Sequence, residues 1–226
     1  MNQERESLQR EYCKGLPFWG ELTEEGRGEF CRQLVGCTYA RGQRVHGGET
    51  CRGVIFIRSG CLRVYMLSEE GRDVTLYRLY RGDVCMLSAS CVLPQITFDV
   101  YVDAEEPCEC FVIGGAAFSR LAQAEVPLKL FAYETALARF SEVMWVVQQI
   151  LFMKVDRRLA IFLLDELSRT GSDVIALSQE QIAKYMSSAR EVVSRMLKYF
   201  SGEKIVEVMR KGVRILDKRR LQELAF

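Results

Sequence analysis

One histidine serves the whole chain of 226 residues. Metal-dependent β-scaffold enzymes of the cupin kind usually gather several imidazoles on one ion, so this scarcity speaks against that class. No Gly-rich phosphate loop and no nucleophile elbow is present, and no catalytic residue is assigned. No apolar run reaches the roughly 18 residues that a membrane span needs. The first residues, "MNQERESLQREYCKG", are polar and charged rather than a secretory signal, so the chain is expected in the cytoplasm, with no membrane partner. Internal repeats and low-complexity stretches are also missing.

Cysteine is the residue in excess, with nine copies. The count is odd and the chain is not small, which argues against a secreted disulfide framework and for reduced thiols. Net charge is only +1, yet it is unevenly placed. Residues 154–226 carry 15 Lys and Arg against 10 Asp and Glu, whereas residues 1–153 carry 16 against 20. A basic C-terminal part suggests a polyanion partner for it.

Three patterns follow one another. From about Tyr39 to Ile113 the chain reads as short strands with Gly-marked turns, as in "GVIFIRSGCLRVYML" split by Ser59-Gly60, "SEEGRD", "VTLYRLY" and "RGD". This predicts an antiparallel barrel or roll. Ahead of it, "LTEEGRGEFCRQL" predicts a small helix capped by Thr23. From about Glu125 to Lys154 the period changes. Tyr133, Leu137, Phe140, Met144, Val147 and Leu151 recur at spacings of four and three, a heptad seam that wants a partner. The stripe could be covered by its own roll or by a parallel second copy, and the two are compatible. A further helix, "DRRLAIFLLDELSRTG", ends on Gly171 as a C-terminal cap.

In "LSQEQIAKYMSSAREVVSRMLKYF" two capping boxes are predicted, Ser178 with Gln181 and Ser188 with Glu191. A short helix is expected over Gln179 to Tyr185, a tight turn over Met186 to Ser188, and a second helix from Ala189. Ile182, Ala183 and Met186 face inward, as do Val192, Val193, Met196, Leu197 and Phe200. Arg190, Glu191, Ser194, Arg195 and Lys198 then share the opposite face. Such a face suits the major groove, since Arg offers two hydrogen bonds to guanine and Glu accepts from cytosine. A plain solvated face with a Glu191–Arg195 pair is the alternative. "KIVEVMRKGVRIL" reads as strand, turn, strand, with Arg210 and Lys211 at a tip suited to phosphate. Ser178, Gln179 and Ser188, at the helix starts, complete the candidate DNA contacts.

Nearly the whole chain resembles the CRP/FNR family of bacterial transcription regulators. "GVIFIRSGCLRVYMLSEEGRDVTLYRLYRGDV", with its Gly82-Asp83 turn, is similar to the family's β-roll, and "SQEQIAKYMSSAREVVSRML" to its helix-turn-helix. The resemblance implies an α+β chain of three parts. These are a jelly-roll-like sensor domain over 1–125, a dimerisation helix over 126–154 and a winged helix-turn-helix over 155–226. It also implies base reading by Arg190, Glu191 and Arg195, a homodimer along the seam, and a roughly palindromic site on double-stranded DNA. RNA polymerase is an expected partner if the protein activates. The chain departs from the family with Ser187 where Gly is common and Val192 where Thr is common. A sensor acting through protein contacts alone, without sequence-specific DNA binding, would need neither Arg190, Arg195 nor the basic tip.

Cyclic-nucleotide-binding members carry an acid for the ribose just after the Gly-Asp turn and an Arg-Ser pair for the phosphate further on. Here those places fall near Leu87 and near Phe98-Asp99, and no Arg lies between Arg81 and Arg120. Leu87, Ser88, Ser90, Cys91, Phe98 and Asp99 are the candidate effector pocket, and cAMP is not expected to bind tightly there. The stretch "DVYVDAEEPCEC" is strongly acidic. An iron–sulfur member would have several closely spaced N-terminal cysteines, and only Cys13 precedes Cys31. Cys85 with Cys91, and Cys108 with Cys110, are candidates for a redox or metal role. His46 or a cysteine could be an axial haem ligand, but a lone His in "RVHGGET" reads as a turn residue. The small-molecule effector is left unidentified.

Overall fold

The run Val54-Ile55-Phe56-Ile57 is apolar at every position, which a strand with one wet face would not be. The computed structural model describes residues 2–47, 53–86 and 99–226. They form two compact units, Met1–Leu67 with Leu76–Val143, and Ser68–Thr75 with Met144–Phe226.

The first unit opens with helices α1 (Asn2–Lys14) and α2 (Glu24–Gln33), joined through a 3-10 turn at Trp19–Glu21. Eight strands follow: β1 (Val35–Tyr39), β2 (Arg44–Gly47), β3 (Val54–Ser59), β4 (Leu62–Leu67), β5 (Asp73–Leu79), β6 (Val84–Cys85), β7 (Tyr101–Ala104) and β8 (Cys108–Ile113). They make two four-stranded sheets, in the orders β1-β8-β3-β6 and β2-β7-β4-β5. Ile55 and Ile57 pack with Val64 and Val102 of the other sheet. Val54 and Phe56 pack instead with Phe30, Phe118 and Leu128 on helices. The first sheet is therefore covered on both faces, by its partner sheet and by helices, and this is why β3 is apolar throughout. The predicted roll is present.

Two local devices hold the roll. Gly60 sits at φ +88 between β3 and β4, where a Cβ would run into the Pro107 carbonyl. Thr23 caps α2 as expected, its Oγ1 accepting from Gly26 N at 3.0 Å. Two expectations shift. His46 lies in β2, paired with Val102, and is buried rather than in a turn. The acidic stretch is partly neutralised, because Asp103 pairs with Arg44 and Glu109 with Arg58.

Helix α3 (Gly115–Ala124) leads into the 27-residue α4 (Val126–Phe152), of which only Leu128 and Ala132 are buried. Arg139 of α4 reaches Asp83 of the Gly-Asp turn at 3.0 Å and Glu142 at 2.7 Å, with its guanidinium 5.1 Å above the Tyr77 ring.

The second unit contains α5 (Val155–Thr170), β9 (Val174–Ile175), α6 (Gln179–Tyr185), α7 (Arg190–Gly202), β10 (Val206–Met209), β11 (Gly212–Ile215) and α8 (Lys218–Ala225). Gly171 ends α5 in the left-handed region at φ +65, as its place in the sequence predicts. The core is Leu159, Leu163, Ile175, Ile182, Val193, Leu197, Phe200, Val213 and Leu221. Among the described residues, no helix is long and apolar enough to cross a membrane.

Candidate nucleic-acid interface

Helix α6 starts on a complete capping box. Gln181 N donates to Ser178 Oγ at 3.2 Å, and Ser178 N donates to Gln181 Oε1 at 2.9 Å. The turn after it closes with Ser188 N on Ala183 O at 2.9 Å, and Ser187 stands at φ +52. Serine thus occupies the left-handed position that favours glycine. Half-buried Arg158 of α5 donates to the Met186 carbonyl and pins this turn. Burial lowers the Arg158 pKa from its ordinary value.

The second predicted box does not form. The N-cap of α7 is Ala189, which has no side-chain cap, and the helix begins at Arg190, one residue later than expected. Closing the turn uses the Ser188 N–H on Ala183 O, which leaves Ser188 one place ahead of the cap. Helix α7 buries Val193, Leu197 and Phe200, with Val192 and Met196 half-buried beside them. Arg190, Glu191, Arg195 and Lys198 are exposed and Ser194 is half-buried. Glu191 and Arg195 form no ion pair, and neither Arg190 nor Arg195 is held by another charge among the described residues.

Strands β10 and β11 pair from Val206↔Ile215 to Met209↔Gly212, so Arg210 and Lys211 form a two-residue exposed tip. Gly212 is required there, because a Cβ would meet the Ile175 carbonyl of β9. Glu207 and Arg214, opposite each other, pair at 2.9 Å. Ser178 is exposed, while Gln179 and Ser188 are half-buried. The structure thus sets α7, the Arg210-Lys211 tip and the α6 start in one unit.

Of the candidate effector residues, Leu87, Ser88, Ser90, Cys91 and Phe98 lie outside the described residues, and Asp99 is exposed. Cys108 and Cys110 share one buried face of β8. Sequence reading missed the Arg158 and Arg139 anchors. It also missed Tyr199, which is exposed on α7 four residues after Arg195. Helical spacing of Tyr199 from Arg195 was the available signal.

The Crp-like helix-turn-helix domain model matches residues 157–224, and the cyclic nucleotide-binding domain model matches residues 38–125. A crystal structure of a regulator assigned to the CRP/FNR family from Eubacterium rectale is 36% identical, covers 93% of this chain and 98% of its own, and has a TM-score of 0.84. The chain belongs to the CRP/FNR family. It is a transcriptional regulator with a helix-turn-helix DNA-binding domain of that type. The "probable transcriptional regulator flp" of Lacticaseibacillus casei is 24% identical over 93% of this chain and 96% of that protein. The "cAMP-activated global transcriptional regulator CRP" of Pasteurella multocida is 21% identical over 77% of this chain and 86% of that protein.

Proposed function

We propose that two copies of this CRP/FNR regulator pair along α4 and that each lays α7 in the major groove of a roughly palindromic DNA site. Arg190, Glu191 and Arg195 read base edges. Ser194 and Lys198, the α6 start at Ser178 and Gln179, Ser188, and the Arg210-Lys211 tip hold the backbone. One observation carries the reading: Arg190 and Arg195 stand exposed and, among the described residues, without ion pairs, on a helix whose other side buries Val193, Leu197 and Phe200 in a core. Pairing is supported by the seam, where Tyr133 is 60% exposed, Leu137 69%, Phe140 62% and Leu151 65%. Apolar side chains at heptad spacing and this exposure suit a second identical helix. Three working parts follow: a sensor roll to about residue 125, the pairing helix, and the winged helix-turn-helix from residue 155.

The roll's input is an effector other than cAMP, since residues 82–119 contain no Arg or Lys to meet a phosphate. The experiment is a gel shift on duplex DNA from upstream of the protein's own gene, run beside sedimentation. The wild type sediments as a dimer and binds. Leu137→Glu, which buries a carboxylate at the seam, becomes monomeric and loses at least about 100-fold in affinity. A wild type that stays monomeric and ignores every duplex at low salt overturns the reading.

A further inference from the structure

Two thiols in the first unit face each other across the ends of α1 and α2. Cys13 Sγ lies 3.8 Å from Cys31 Sγ. Each cysteine is in the last turn of its helix, and the register between the helices is fixed one turn earlier. There Gln9, four residues before Cys13 and so on the same side of α1, donates to Cys31 O and, at 3.0 Å, to Leu34 O. The sulfurs differ in access. Cys13 is fully buried, beside Phe18 and Phe30 in the cluster that also seats Leu128 and Ala132 of α4. Cys31 is half-buried and lines an open groove of about 580 Å³ with Gln9, Arg10, Trp19, Arg27 and Arg32.

We infer that Cys13 and Cys31 form a peroxide-oxidisable dithiol, with Cys31 the sulfur attacked first and Cys13 the one that resolves it. Cys31 Sγ attacks one oxygen of hydrogen peroxide, the O–O bond breaks, and a sulfenic acid and one water result. Cys13 Sγ then attacks the Cys31 sulfur, the S–O bond breaks, and a second water leaves. Two thiols and one peroxide become one disulfide and two waters, so the peroxide is the whole oxidant. A disulfide bond of about 2.05 Å requires the sulfurs to close by about 1.8 Å from their present 3.8 Å. Burial raises the Cys13 pKa, and the neighbouring Cys31 raises it further. This keeps Cys13 a neutral thiol at rest, so the first oxidation falls to the accessible sulfur. The bond would tie α1 to α2 beside the start of α4. None of this depends on DNA binding.

The test uses the full-length reduced protein, an equimolar dose of hydrogen peroxide, quenching with iodoacetamide, and mass spectrometry of a tryptic digest. The expected product is one linkage, 2 Da lighter than the two free peptides, that joins Glu11–Lys14 to Gly28–Arg32 and is reversed by dithiothreitol. In Cys31→Ser the oxidation of Cys13 slows at least about tenfold. In Cys13→Ala dimedone traps a sulfenic acid at Cys31. Cys31→Ser changes a half-buried position, so it keeps the test alive if Cys13→Ala folds poorly. A linkage at another pair, an unmodified Cys31 after the peroxide is consumed, or wild-type oxidation of Cys13 in Cys31→Ser each overturns the assignment.

Discussion

Helices α4 and α7 leave opposite kinds of side chain uncovered. On α7 the apolar stripe Val193, Leu197 and Phe200 is fully buried, and the charged face of Arg190, Glu191, Arg195 and Lys198 is exposed. On α4 the apolar stripe is the exposed side, from Tyr133 through Leu137 and Phe140 to Leu151. Both helices carry an apolar stripe, so a stripe alone does not tell a core helix from a docking helix. What separates them is whether the rest of the chain covers the stripe. An uncovered apolar stripe calls for another protein surface, and an uncovered basic face on a covered helix calls for a polyanion.

The same residue type on each helix gives the sharpest contrast. Phe200 is fully buried, and Phe200→Ala should destabilise the second unit by about 3–5 kcal/mol. Phe140→Ala, on the exposed seam, should leave the stability of a single chain within about 0.5 kcal/mol and weaken self-association instead. Urea unfolding with sedimentation at several concentrations separates the two effects. Equal loss of chain stability in both variants would break the comparison.

The charged faces come next in size. Arg190→Ala and Arg195→Ala should each cost about 1–3 kcal/mol of DNA affinity per half-site, with thermal stability unchanged. Fluorescence anisotropy at fixed salt reads the first and a melting curve the second. Unchanged affinity in both variants would return α7 to a plain solvated face. At the wing, Lys211→Ala should weaken binding evenly across DNA sequences and lower the slope of log affinity against log salt by about one per contact. A change confined to one DNA sequence would make Lys211 a base reader.

How much of this was legible depends on whether local chemistry or packing decides. The stripes of α4 and α7 follow from spacing, and the Thr23 and Gly171 caps follow from residue type, so both could be read directly. In a strand Arg63 falls on the opposite face from Leu62 and Val64, but alternation cannot say that it is only 1% exposed, 4.3 Å over the Tyr65 ring. That depends on how the roll closes. Likewise the Arg44–Asp103 and Arg139–Asp83 pairs join residues 59 and 56 positions apart. No local pattern reports such partners. For the interface, Arg190 to Lys198 could be placed on one face from period alone. The start of α7 could not, because closing the turn takes the Ser188 N–H and moves the cap to Ala189.

That one-residue shift supplies the smallest effect and a finer comparison, between the starts of α6 and α7. Ser178 makes a real capping box, so Ser178→Ala should cost about 1 kcal/mol. Ser188 makes no cap, so Ser188→Ala should stay within about 0.5 kcal/mol of wild type. Ala189 already has cap geometry, with φ −73 and ψ 141, and lacks only an acceptor. Ala189→Ser should therefore stabilise the unit by about 0.5–1 kcal/mol. If the uncapped amides of α7 instead hold a phosphate in the complex, the same serine competes with that oxygen. Stability would then rise while DNA affinity falls by a few fold. A rise in both would show that the open start of α7 is a weakness of the fold and not a grip on DNA.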